Sequence, residues 1–204
     1  MSHPGLDAVS SESLGQRLRE LRMQSGMSLR ALARKLGISA SAVSQIERGT
    51  MRPSVSRLIA YVSAIGVPLA AVFETGLEKA PETDSAGSAP GYGFAIRRSW
   101  EIAPLQLSSG VTFRRLSPLP TPDVEFFEST YPPNAISNAH GQLLEHQGYE
   151  IGTVTQGELT IEFESDIVTL AAGDSITFPC ARPHLIGNRS KTVTAVATWL
   201  IVHP

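Results

Sequence analysis

The sequence predicts an α+β multidomain chain: an all-α N-terminal domain of five short helices, then an all-β C-terminal domain of sandwich or barrel type. Three observations predict it. Between residues 14 and 73 apolar side chains recur at helical spacing. From Phe94 onward they recur at spacing two, in many short runs. Between the two patterns, Gly76, Pro81, Gly87, Pro90, Gly91 and Gly93 sit among serine, alanine and acidic residues, the composition of a linker. The expected divisions are 12–75, 76–93 and 94–204. A linker of this kind implies that little buried surface crosses it.

The helices follow in order. Leu14, Leu18 and Leu21 form one stripe, with Ser13 as cap, Gln16 at the capping-box position and Gly26 as stop. A second helix runs from about Ser28 to Leu36, with Leu29, Leu32, Ala33 and Leu36 on one face and Gly37 ending it. A third starts near Ser39 and turns Val43 and Ile46 inward before Gly49. Pro53 and Ser54 open a fourth, striped by Leu58, Ile59, Val62 and Ile65 and ended by Gly66. Pro68 suits the first turn of a short fifth helix ending at Phe73. In the second half, Leu159, Ile161 and Phe163 alternate with Thr160 and Glu162. Further strands are expected at 111–116, 124–131, 150–155, 175–178 and 192–202, several of them separated by turns such as Gln156-Gly157.

Composition removes whole classes of function. At 204 residues, 42% hydrophobic and 18% charged, the chain has room for a sizeable core and is not wholly disordered. No apolar run approaches the roughly 18 residues of a membrane helix. Residues 1–13 lack the basic and apolar regions of a secretory signal. Cys180 is the only cysteine, which excludes an internal disulfide, a cysteine-based zinc finger and a CxxC redox pair. A cytoplasmic protein is expected. Charge is unevenly spread. From Ser13 to Ala60 nine basic residues face only Glu20 and Glu47, a net +7, while the remainder carries −9. A basic block beside an acidic remainder fits a polyanion-binding module joined to something else, and fits a solvated helical surface equally well.

Two short helices joined at Gly37 have the anatomy of a helix-turn-helix. With Leu32-Ala33, Gly37, Ser44-Gln45-Ile46-Glu47-Arg48-Gly49 and Pro53-Ser54, residues 14–74 resemble the Xre/Cro-repressor family, a lambda-repressor-like helix-turn-helix domain. The resemblance implies that the motif's second helix enters the major groove by its N-terminal part. Ala40, Ser41, Ser44 and Gln45 would then face base edges: Gln45 can pair bidentately with adenine, Ser41 can bond either way, and Ala40 can touch a thymine methyl. Ser39 belongs to the same DNA-binding set. Ser28, Arg30, Arg48 and Arg52 suit phosphates near helix ends. A serine there can equally cap a helix, and Glu47 reads as structural, paired with an arginine of the motif. Specific binding usually needs two half-sites, hence a dimer on double-stranded operator DNA.

In the second half, His146, Glu150 and Gly157, then Gly173, Pro179, His184 and Asn188, match the two motifs of the cupin family, a jelly-roll barrel, over about 100–202. Ala181 stands where that family usually has glycine. The resemblance implies a metal site of His146, Glu150 and His184 for iron, manganese, zinc or nickel, with Leu144 in place of the usual first histidine. On one straight strand His146 and Glu150 would lie about 13 Å apart, too far for one ion to bridge, and Gly148 offers a turn that would bring them together. His140, a substitute for the missing histidine, would lie about 20 Å from His146 if the chain were extended. The alternative is that the histidines line a ligand cavity or are hydrogen-bonded in the core. Barrels of this size can enclose a small ligand. Leu144, Tyr149, Phe163, Phe178 and Trp199 are the candidate effector-pocket residues, though strand aromatics can also be plain core. Arg182 can meet a carboxylate or lie on the surface. Cys180 is a candidate thiol sensor or a small buried hydrophobe.

Three functions follow. The first is a transcriptional regulator, not an enzyme, whose barrel binds a small-molecule effector and supports a homodimer, the two halves coupled through subunit spacing. The second is a metal-dependent cupin enzyme that carries a DNA-binding domain, against which Leu144 counts. The third is a barrel that only dimerises.

Overall fold

Four serines open the four α-helices of the computed structural model, which describes residues 8–73, 94–98, 101–119, 121, 123–138 and 141–203. The helices are α1 (Ser11–Gln24), α2 (Leu29–Leu36), α3 (Ala40–Glu47) and α4 (Val55–Ile65). Their caps Ser10, Ser28, Ser39 and Ser54 accept hydrogen bonds from the backbone N–H three residues on, at 3.1–3.2 Å. Two expectations change here. Ser10 rather than Ser13 caps α1, so the helix starts earlier, and Gln16 bonds Glu20 instead of closing a capping box. The expected fifth helix, Leu69–Phe73, is a 3-10 helix. Five residues after Pro68 are too few to build a stable α-helical ladder, and the segment closes with Ala71 N–H on Pro68 O at 3.1 Å.

The turn between α2 and α3 works as its residues suggest. Gly37 sits at φ 63°, ψ 30°, the left-handed cap that a side chain would strain. The four helices share buried Leu14, Leu18, Leu21, Leu32, Val43, Ile46, Leu58 and Val62. At the α1–α3 crossing, a Cβ on Gly15 would lie 2.5 Å from Ile46 O, so the two backbones meet only because Gly15 has no side chain.

The second half forms two antiparallel sheets. The six-stranded sheet has the order β1-β2-β3-β9-β4-β7. Its strands are β1 (Leu105–Gln106), β2 (Thr112–Arg115), β3 (Val124–Tyr131), β4 (Tyr149–Gln156), β7 (Ser175–Pro179) and β9 (Ala195–Val202). The three-stranded sheet has the order β6-β5-β8, from β6 (Ile167–Ala171), β5 (Glu158–Phe163) and β8 (His184–Gly187). Alternation sets each strand's direction. Ala195, Ala197, Trp199 and Ile201 of β9 point inward, as do Glu125, Phe127, Ser129 and Tyr131 of β3. Trp199 lies flat across Gly152, whose missing side chain makes room for it, and donates its indole N–H to Ser129 Oγ at 2.8 Å. Strands β1, β6 and β8 were not expected from the sequence.

The two halves are packed together. Buried side chains of both belong to one apolar cluster, and the Phe73 and Phe127 rings lie 5.6 Å apart. Ser56 N–H and Oγ–H both reach Ser137 O, at 3.1 and 3.2 Å. Ala70 N–H donates to the buried Glu125 carboxylate at 2.8 Å, and Ser108 N–H to Pro53 O at 2.9 Å. The expectation that little buried surface joins the halves is corrected by these contacts. The linker stretch 76–93 itself lies outside the described residues. Among the described residues no helix is long and apolar enough to cross a membrane.

Candidate functional site

The first candidate surface is the outer face of α3. Val43 and Ile46 turn into the core, so Ser41, Ser44 and Gln45 take the opposite side, with Ser41 and Gln45 exposed and Ala40 half-buried. Ser39 and Ser28 are both exposed, and both already use their hydroxyl oxygens as caps. Arg30, Arg48 and Arg52 are exposed. Arg48 donates to Ser44 Oγ and Arg52 to Ser11 Oγ, each at 2.6 Å. The fold therefore places Arg48 beside the polar residues of α3, and Arg52 beside the start of α1.

Glu47 explains how that face is held. Its carboxylate accepts Arg22 Nε at 2.6 Å and Nη2 at 2.8 Å, and Tyr61 Oη–H at 2.7 Å. Arg22 also donates to Met27 O at 2.9 Å. The partner expected within the motif is instead on α1, a helix no local pattern could nominate. The hydrogen bonds to Glu47 raise the Arg22 guanidinium pKa against its burial, and burial followed by the Glu47 bond raises the Tyr61 phenol. All three are buried. A buried pair of this geometry stays together because separation would leave a naked charge.

The second candidate site lies inside the barrel. The chain bends at Gln147-Gly148, with Gly148 at φ 102°, and Gly148 O accepts Cys180 N–H at 2.9 Å. That bend folds His146 back onto the start of β4, so His146 Nε2 lies 2.9 Å from Glu150 Oε1. His184 Nε2, arriving on β8, lies 3.7 Å from the same oxygen. One ligand atom from each of the three residues falls within 4.8 Å of the others. All three side chains are buried. Burial would push Glu150 up, but its contacts with His146 and His184 outweigh this and hold it at about 2. For His184 burial acts downward, and Glu150 with the Arg182 carbonyl raises it.

The residues fit a divalent transition metal on their own geometry. His146 Nδ1 faces Gln147 O at 3.1 Å and His184 Nδ1 faces Arg182 O at 2.9 Å. Each carbonyl can accept an Nδ1 proton, so both Nε2 atoms, which lie on the Glu150 side, would be able to ligate a metal in place of a proton, the outer-shell arrangement of a metal-binding histidine. Two imidazoles and one carboxylate form a three-ligand set with open positions. Leu144 pairs its backbone with His184, N–H to O at 2.8 and 2.9 Å, and adds no ligand. His140 lies outside the described residues.

Beside this cluster is a small cavity. It is lined by Glu150, His184, Leu144, Trp199, Tyr131 and Ser137 among others, and also by Val55, Ser56 and Ile59 of α4. Of the expected pocket residues, Leu144 and Trp199 reach it. Tyr149 does not: it is 56% exposed on the outer face. A strand that turns Glu150 inward must turn Tyr149 outward. Phe163 and Phe178 are buried but stand outside the cavity lining. Their rings meet at 5.3 Å, and Phe178 backs the His184 ring at 4.9 Å. Arg182 covers Phe163 at 4.1 Å, which occupies the cation elsewhere than in the cavity. Cys180 is fully buried, and burial together with the Glu150 charge pushes its thiol up to about 12, the state of a buried hydrophobe rather than a reactive thiolate. The parity of Glu150 could have nominated Ile201, its cross-strand neighbour. Nothing local could have nominated α4.

Comparison with known proteins matches the helix-turn-helix family over residues 18–72 and the cupin domain family over residues 127–201. The HTH-type transcriptional regulator PuuR of Escherichia coli is 28% identical over 191 residues, 92% of this chain and 95% of that protein. An uncharacterized HTH-type transcriptional regulator of Sinorhizobium fredii is 37% identical over 62 residues, 30% of this chain and 32% of its own length. Among solved structures, an HTH_3 family transcriptional regulator from Vibrio cholerae shares the fold with a TM-score of 0.65, 22% identity and coverage of 95% of this chain and 97% of that one. Hydroxypropylphosphonic acid epoxidase from S. wedmorenis superposes with a TM-score of 0.46 at 20% identity, covering 94% of this chain and 98% of that one.

Proposed function

We propose that this chain, which joins an Xre-type helix-turn-helix domain to a cupin domain, is a sequence-specific DNA-binding transcriptional regulator and not an enzyme. The observation that carries the reading is the polar outer face of α3, Ser41, Ser44 and Gln45, presented by a domain with a net basic charge. The near full-length similarity to a transcriptional regulator supports it. In this reading residues 12–75 bind DNA, 76–93 connect, and 94–204 form the sensing and dimerising domain. Ala40, Ser41, Ser44 and Gln45 meet base edges. Ser28, Ser39, Arg30, Arg48 and Arg52 meet phosphates through side chains or helix-end N–H groups. The protein acts in the cytoplasm, on double-stranded operator DNA.

The barrel domain is the sensor. Its buried cavity takes a small-molecule effector, and His146, Glu150 and His184 would hold a divalent transition metal beside it. Such a metal would supply a positive charge and open positions for a polar group of the effector. The outer face of the six-stranded sheet supports a homodimer: Phe126, Leu200 and Ile151 lie in one cross-strand row, next to Tyr149, and Phe126, Tyr149 and Ile151 are exposed. An apolar strip of this kind gains from being covered by a second copy.

Selection of a duplex from a random pool, followed by titration with the full chain, tests the reading. Gln45→Ala is expected to lose about 1–3 kcal/mol of discrimination at one base pair. Arg48→Ala is expected to weaken all duplexes alike and reduce the salt slope by about 1. No enriched sequence, or an affinity indifferent to both substitutions, rejects it. The metal-dependent enzyme is the second reading, favoured by the two-histidine, one-carboxylate cluster alone. Elemental analysis of protein purified without chelator, followed by turnover assays of any metal-loaded form, separates the two.

A further inference from the structure

The barrel cavity is closed by the other domain. Val55, Ser56 and Ile59, one edge of α4, form part of its wall, opposite Glu150, Tyr131 and Trp199. Its free space for water centres is about 30 Å³, enough for about one or two waters. Organic ligands of ordinary size occupy about 300–1,000 Å³. The cavity nevertheless has the chemistry of a binding site. It is mostly apolar. Tyr131 and Glu150 bring a phenol and a carboxylate to its wall. The barrel side is built from strands paired along their length. The α4 side meets it through apolar packing and the contact of Ser56 with Ser137.

The opposite edge of α4 is tied to the helix-turn-helix. Arg57 Nη1 donates to Leu36 O, at the end of α2, at 2.8 Å. Lys35 Nζ reaches Ala64 O at 3.0 Å, and Tyr61 joins Glu47 at the end of α3. Leu58, Tyr61, Val62 and Ile65 fill the helical core. Whatever moves α4 therefore moves α2 and α3 as one body.

We propose that α4 couples the two sites: a small, mostly apolar molecule with one hydrogen-bonding head group, seated against Tyr131 and Glu150, lifts the Val55–Ser56–Ile59 edge off the barrel and re-aims the DNA-binding unit. This rests on the regulator reading for its DNA consequence only. The docked state excludes the ligand and the lifted state accepts it, so the ligand shifts the population by its differential affinity. This replaces coupling through subunit spacing with coupling through a shared helix.

Two backbone amides report docking directly. Ser56 N–H and Ala70 N–H belong to helical segments but bond across the domain boundary, to Ser137 O and Glu125 Oε1. Leu58 N–H bonds Ser54 O inside α4, and Phe163 N–H bonds Asp166 O inside the barrel. In the full chain, Ile186→Trp places more bulk in the cavity than it holds and mimics an occupant. Amide exchange of Ser56 and Ala70 is expected to speed up together by about tenfold or more, with Leu58 and Phe163 unchanged. Affinity for a duplex selected with the wild-type chain is expected to change by about tenfold, in either direction. If Leu58 or Phe163 also loses protection, the variant has unfolded, and Ile59→Trp, which pushes the same seam from a half-buried roof position, decides by the same readings. Unchanged Ser56 and Ala70 exchange in a folded, overfilled variant overturns the proposal. So does faster exchange with unchanged DNA affinity. Absence of duplex binding by the wild-type chain rejects the regulator reading instead, while the exchange result still decides whether the roof moves.

Discussion

Glu47 in the helical half and Glu150 in the barrel are each buried among basic side chains, and the two clusters are built to different ends. Glu47 is saturated: both oxygens accept from Arg22, and Tyr61 adds a third donor. Glu150 is held more loosely: Oε1 takes His146 at 2.9 Å, and His184 stands farther from the same oxygen at 3.7 Å. Arginine cannot shed its charge in a protein, whereas histidine can. The helical cluster therefore works as a fixed lock, while the barrel cluster can exchange protons or accept a cation. What separates the two buried carboxylates is the partner's chemistry, a permanent guanidinium in one and titratable imidazoles in the other.

The strongest way to break this comparison is Glu47→Ala. It strands the Arg22 charge in the core and is expected to cost about 3–5 kcal/mol by denaturant unfolding. A cost below about 1 kcal/mol would show that Arg22 escapes to solvent and that the lock is no lock. Metal loading comes next. Manganese or zinc at about one hundred times its dissociation constant is expected to stabilise the chain by about 2.7 kcal/mol, seen as a higher melting temperature. His146→Ala and His184→Ala should each abolish the shift, and a shift that survives both places the metal elsewhere.

The third test is Glu150→Gln across pH in metal-free protein. Glu150 lies below its ordinary value of 4.5, so its contribution is present above 4.5 and is lost as pH falls toward about 2. His184 lies above its ordinary 6.5, so its contribution is present below 6.5 and is lost as pH rises through the raised value. The stability difference between wild type and variant should therefore be largest between pH 4.5 and 6.5, at about 1–3 kcal/mol, and shrink on both sides. A difference independent of pH would mean that the cluster is not ionised. The smallest effect belongs to Tyr61→Phe, expected to cost about 1 kcal/mol because Arg22 still satisfies Glu47. A loss as large as that of Glu47→Ala would make the phenol, not the ion pair, the centre of the lock.

Legibility followed the distance over which each feature is decided. Caps Ser28, Ser39 and Ser54 and stops Gly37 and Gly66 act within one turn of backbone, and all were readable. Ser10 was missed because Ser13, three residues on, offers the same chemistry. Strand β3 was readable from end to end, since its alternation spans eight residues, whereas β8 is four consecutive buried residues with no period to detect. The turn at Gly148 was suggested by a distance that a straight strand could not close and by a residue that permits the bend. Tyr149 was assigned to the pocket against the parity of its own neighbour Glu150, which already excluded it.

By itself the sequence determined the local grammar: which segments are helices, which residues cap them, which alternating faces turn inward, and the motif spacing that brings His146, Glu150 and His184 into consideration. These depend on bonds and repeats within a few residues. Only the tertiary structure decided that Arg22 is the partner of Glu47, that His146 and His184 converge on one oxygen of Glu150, and that α4 closes the barrel it does not belong to. Those contacts join residues at least 25 positions apart, except for the His146–Glu150 pair, and no local preference encodes which distant side chain will arrive.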